Sequence, residues 1–192
     1  MPKYFDFEVA LCEVKRKIWR RFLLRAESTT FLDLHEAIQD ACGWKNYHLF
    51  LFMQPGSGPR RLPIAGIPNG EDRAIYGSRV PDAPKVPLTS FFSEDKSVQC
   101  RYLYDYGDHW FHEVNLLGEK EVSEVFQRRL VDGKRAFPPE DCGGITGYER
   151  FLKVVNNAKD PEGEDIEHLW GWLGNWNPER FILEEAKARF DR

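Results

Sequence analysis

The sequence predicts an α+β fold in which an antiparallel sheet is packed with helices and the C-terminal third is helical. Three observations carry this prediction. Phe5, Phe7, Val9 and Leu11 alternate with Asp6 and Glu8, the two-residue period of a half-buried strand. Two further alternating runs, at 98–104 and 110–116, flank a turn that contains Gly107. Beyond Gly144 the apolar residues recur at helical spacing behind capping signals.

Taken in order, the elements follow from local chemistry. Residues 17–25 come after a polar turn and are rich in β-formers. Arg20 falls on the face of Ile18, Phe22 and Leu24, which suggests an edge strand protected by charge. Thr30 with Asp33 makes a capping-box start. Phe31, Leu34, Ile38, Ala41 and Cys42 form one helical stripe, and Gly43 stands where a C-cap glycine belongs. Residues 47–53 are an apolar run suited to a central strand covered on both faces.

Residues 54–87 hold seven prolines and five glycines without a sustained period. They read as a loop or insertion within one domain spanning 1–192, with room for a brief strand from Ala74 to Val80. In the last third, three helices are predicted. The first opens at Thr146, with Glu149 completing a second capping box. The next opens at Asp160-Pro161, and the last at Asn177-Pro178 with cap and N1 proline in place.

Composition excludes several classes. The 192 residues carry 27 Lys plus Arg and 31 Asp plus Glu, a net charge of −4, so overall charge makes no case for nucleic-acid binding. No apolar run approaches the ~18 residues of a membrane helix, and the first residues lack a basic-then-apolar leader. A cytoplasmic protein with no membrane partner is therefore expected. Cys12, Cys42, Cys100 and Cys142 lie far apart with no C-x-x-C pair, which points to free thiols.

Charge is nevertheless uneven. Residues 1–25 hold seven basic and three acidic side chains, whereas residues 140–192 hold seven basic and twelve acidic. Lys15, Arg16, Lys17, Arg20 and Arg21 are a candidate anion contact. With Trp19 and Phe22 interleaved, they match what stacking on single-stranded nucleic acid requires. The alternative is a solvated face offset by the acidic end of the chain.

Two clusters carry the densest chemistry. The turn Asp105-Tyr106-Gly107-Asp108-His109, with His112 just beyond, offers two carboxylates and two imidazoles. Such a set suits a divalent metal, oxygen favouring Mg or Mn and imidazole favouring Zn. The alternative is structural: aspartates close turns through their own backbone, and an inward His112 is a hydrogen-bonded core residue. In Pro138-Pro139-Glu140-Asp141-Cys142-Gly143-Gly144, prolines stiffen the approach and glycines admit close contact. We expect Asp105, Asp108, His112, Glu140 and Asp141 to form one polar cleft. Cys42 with His35 or His48 is no protease signature, and no dinucleotide, Walker, G-x-S-x-G or H-E-x-x-H motif is present.

At these residues the chain resembles the plasmid pRiA4b ORF-3-like family, whose members also go under the name transposon-passenger TnpR-like proteins. Four segments carry the likeness across nearly the whole chain. They are 18–22; Leu34-His35 through Gly43-Trp44; 104–108 with Trp110 and His112; and Asp132-Gly133 through 138–144 to Gly147-Tyr148. The resemblance implies an α+β domain with a curved antiparallel sheet and brings no settled activity. Phe137 stands where many relatives have Cys, which argues against a thiolate metal site in this loop. The expected function is a binding or regulatory module, associated with mobile elements or nucleic acid. The alternative is a divalent-metal-dependent hydrolase or nuclease using the Asp/His turn and the Glu-Asp loop.

Overall fold

The alternating first strand sits near the middle of the architecture. The computed structural model describes residues 1–56, 62–70, 72, 79–93, 96–156, 171 and 173–192. Strand β1 (Lys3–Leu11) pairs antiparallel with β2 (Trp19–Arg25) on one side and with β6 (Trp110–Glu121) on the other. With β3 (Phe50–Met53), β4 (Pro63–Gly66), β5 (Gln99–Tyr104) and β7 (Arg128–Lys134), these form one seven-stranded sheet in the order β4-β3-β5-β6-β1-β2-β7. Every pairing between strands is antiparallel.

One face of the sheet carries the main core. Phe5, Phe7, Val9 and Leu11 meet Phe31, Leu34 and Ile38 of helix α1 (Phe31–Cys42) and Phe190 of a C-terminal helix. Helix α1 starts and stops where its chemistry dictates. Thr30 accepts from the Asp33 amide while Asp33 accepts from the Thr30 amide, and Gly43 closes the helix at φ +81°. The opposite face is thinner. There Asp6, only 1% exposed, is held by Arg21 through two hydrogen bonds of 2.9 and 2.7 Å and by Lys120 at 2.7 Å. Burial alone raises its pKa, but these partners outweigh it and hold the carboxyl below its ordinary value.

The expected edge strand is interior. β2 lies between β1 and β7, and the sheet ends instead at β4 and β7. Arg20 therefore does not guard an edge; it is 4% exposed on the core side. Within 54–87, β4 supplies one edge of the sheet, and most of the expected strand from Ala74 to Val80 lies outside the described residues.

The helical last third is overturned: among the described residues the protein is mainly an antiparallel sheet with three short helices. In that part of the chain the structure describes helices α2 (Gly144–Val155) and α3 (Leu183–Phe190), with Gly171 and Leu173 also helical between them. Helix α2 begins before Thr146, with Gly143 in the cap position and no side-chain cap. Gly143 and Gly144 are left-handed (φ +85° and +65°), and a Cβ on Gly144 would lie 2.6 Å from the Asp108 carbonyl oxygen. Close approach to the 105–109 turn thus displaces the capping box. At Asn177-Pro178 the Asn177 side chain accepts from the Glu179 amide at 3.0 Å, yet helix begins only at Leu183. A single Asx turn satisfies the local donors without propagating. The helix expected from Asp160-Pro161 falls almost wholly outside the described residues.

Candidate functional site

Three segments meet at the end of the β5–β6 hairpin. The turn itself has two left-handed residues, Asp105 (φ +57°) and His109 (φ +56°), neither of them glycine. Asp105 is suited to this conformation because its carboxylate closes the turn, accepting from the Gly107 amide at 2.8 Å and the Asp108 amide at 3.3 Å. The second segment is 44–48, which follows α1. The third is 138–144.

Tyr104 ties the segments together. Its hydroxyl accepts from the Tyr47 amide at 2.9 Å and the His48 amide at 3.3 Å, and donates to Glu140. Burial, reinforced by Glu140, pushes the phenol well above its ordinary pKa, so it stays a donor. The other Glu140 oxygen accepts from the Lys45 amide at 2.8 Å, and Asp108 accepts from the Gly143 amide at 3.1 Å. His48 bridges two acids, its Nε2 lying 2.7 Å from Asp141 Oδ1 and 3.6 Å from Asp105 Oδ2.

Four of the five expected cleft residues thus gather around the junction: Asp105, Asp108, Glu140 and Asp141. His112 does not join them. It is fully buried with Trp44, Tyr102 and Phe137 around it, its Nδ1 meets the Trp110 carbonyl at 3.1 Å, and its Nε2 makes no hydrogen bond among the described residues. Alternation along β6 turns the ring into the core, away from the turn. Burial lowers its pKa to about 4. His48 and Tyr104 were missed as members of the junction. Tyr104 looked like one more apolar strand position, and His48 sits 57 residues before Asp105, so only pairing of β3 with β5 brings it near.

Beside this junction lies a cleft of about 550 Å³ between the end of α1, residues 136–141, residues 175–182 and α3. Its loop is pinned from both sides. Trp44 Nε1 donates to the Pro138 carbonyl and Trp176 Nε1 to the Phe137 carbonyl, each at 2.9 Å. The cysteines here offer no nucleophile: burial pushes Cys142 up to about 12 and raises Cys42 further. His35 is structural, bonded to Tyr102 and Asn46 at 2.8 Å each and stacked on Phe50.

The basic stretch near the N-terminus presents no unopposed face. Lys15 pairs with Glu149, Arg16 with Glu179, Lys17 with Glu8 and Arg21 with Asp6. Folding brings acidic residues from elsewhere in the chain alongside these cations, so nucleic-acid binding through this strand is not supported. Among the described residues no helix is long and apolar enough to cross a membrane.

Comparison with known proteins agrees with the earlier likeness. The family described as plasmid pRiA4b ORF-3-like protein matches residues 3–185. An uncharacterized protein y4hQ from Sinorhizobium fredii is 31% identical over 142 residues, covering 74% of this chain and 66% of that protein. The match therefore spans just under two thirds of that relative. The crystal structure of a protein of unknown function, MM3350 from Methanosarcina mazei Go1, superposes with a TM-score of 0.79 at 32% identity, covering 96% of this chain and 97% of that one.

Proposed function

The chain belongs to the plasmid pRiA4b ORF-3-like protein family, and from that footing we propose that it is a binding module holding a divalent cation beside its cleft. One observation carries the reading. His48, Asp105 and Asp141 each offer a ligand atom, and these atoms lie within 4.8 Å of one another. One imidazole and two carboxylates are a donor set for Zn²⁺ or Mn²⁺, with water completing the shell. Three chain segments supply the three donors, and Asp141 also lines the cleft.

A binding role is favoured over hydrolysis because the neighbouring acids are already engaged. Glu140 is held by Tyr104 and the Lys45 amide, and Asp108 by the Gly143 amide. Neither is left as a free general base, which a hydrolytic reading would need.

Calorimetric titration of chelator-stripped protein with Zn²⁺ and Mn²⁺ tests the proposal. One equivalent is expected, with His48→Ala and Asp141→Asn each weakening uptake roughly tenfold or more. Failure of the wild-type chain to take up either ion at about 1 mM, a weak Kd by ordinary standards, would remove it.

A further inference from the structure

Among the described residues, Arg20 is the one member of the basic stretch that folding leaves without an acid. Its guanidinium is sandwiched between Phe137 and Phe181, 4.9 and 4.1 Å from their ring centres. Nε donates to the Ala41 carbonyl at 3.0 Å, and Nη1 donates to the carbonyls of Trp19 at 2.8 Å and Lys134 at 3.2 Å. These are neutral acceptors. The C-terminal end of α1, which Ala41 belongs to, adds only a fraction of a negative charge. Nη2 makes no hydrogen bond among the described residues, and Arg20 lines the cleft. A buried cation without an anion is costly, and here burial depresses even the guanidinium pKa to about 10.

The rest of the cleft repeats the imbalance. Its acids are taken: Glu140 by Tyr104 and the Lys45 amide, Asp141 by His48, and Glu185 by Arg180 at 2.8 Å. Lys45 and Arg189 line the same cleft, and among the described residues neither ammonium nor guanidinium has a carboxylate partner. Three cations therefore remain unanswered in one cavity. Apolar faces lie beside them: Tyr47 is 68% exposed, and Trp176 and Phe181 are half-buried.

We propose that the cleft binds a small organic anion, a phosphate or carboxylate carried on a flat apolar body. The anionic group answers Arg20, with Lys45 and Arg189 closing from the rims, and the body lies against the exposed aromatic rings. A cavity of about 550 Å³ has the volume for such a ligand. None of the three cations belongs to the cluster at His48, although Asp141 of that cluster lines the same cleft.

The test is titration of the intact chain, stripped of metal and then dialysed free of chelator, with phenyl phosphate, benzoate and inorganic phosphate, read by tryptophan fluorescence. Trp44 and Trp176 both line the cleft, so occupancy is reported directly. Saturable binding of phenyl phosphate or benzoate, weakened by added salt and tighter than inorganic phosphate, is expected; the tighter of the two identifies the head group. Arg20→Met should weaken it roughly tenfold or more, the loss of a charge-assisted contact. Arg20 also satisfies buried carbonyls, so the exposed pair Arg189→Met and Lys45→Met provides a second arm that spares the fold, with the same direction expected. No saturable binding of any probe by about 10 mM, beyond the usual weak limit of specific sites, would overturn the proposal. So would affinity unchanged in the Arg189→Met/Lys45→Met variant. Metal uptake at His48 with no anion binding would reject this site alone.

Discussion

Gly133 of β7 lies directly opposite Arg20 of β2, and that pairing makes room for the guanidinium. A Cβ at residue 133 would come within 2.7 Å of Arg20 Cδ and 2.8 Å of Phe181 Cζ. The glycine thus leaves room for an arginine between Phe137 and Phe181 on the core side of the sheet.

Substitution Gly133→Ala should therefore force the Arg20–Phe181 contact apart. Overpacking of this kind costs about 1–3 kcal/mol. Urea unfolding checks the loss. If the anion site is as proposed, the same variant also weakens phenyl phosphate binding, since Arg20 no longer lies where the cleft needs it. Unchanged stability would show that the strand yields at no cost.

Two histidines set an acid limit on stability. Burial lowers both His35 and His112 to about 4, from an ordinary value of 6.5. Between those values the unfolded chain binds protons that the folded chain refuses. Stability is therefore fully present above about pH 6.5 and falls as pH drops toward 4, by up to about 1.4 kcal/mol per pH unit for each histidine. Urea midpoints measured from pH 7.5 to 4.5 give the slope. His112→Leu should remove one histidine's share of that slope, because the titrating ring is gone, while also losing the 3.1 Å contact of Nδ1 with the Trp110 carbonyl.

Tyr104→Phe should loosen the junction without disturbing the sheet. The ring remains stacked on Trp44, at 5.1 Å between centres. The lost hydroxyl releases the amides of Tyr47 and His48 and frees one Glu140 oxygen. A cost of about 1–2 kcal/mol follows from the unmet donors. Faster amide exchange confined to residues 47–48 is the expected signature; exchange no faster than in the wild-type chain would mean that Tyr104 does not hold this segment.

Only local features could be read from the order of residues. The β1 alternation, the Thr30/Asp33 cap, the Gly43 stop and the polarity of the 105–109 turn were all legible, because each depends on residues a few positions apart. The meeting of that turn with residues 138–144 is an expectation built on turn polarity and loop stiffness; Asp108 accepts from the Gly143 amide at 3.1 Å, while His112 lies in the core. Tertiary structure decided the rest. The capping signal at Thr146 lost to the close approach of Gly144 to the Asp108 backbone, since a cap stabilises a helix by only about 1 kcal/mol, and the one at Asn177 was spent on a local Asx turn. His112 went to the core and His48 to the junction, because strand pairing chooses which imidazole faces the acids. Alternation set Arg20 apart on the apolar face of its strand, but only the fold showed that no acid lies beside it among the described residues.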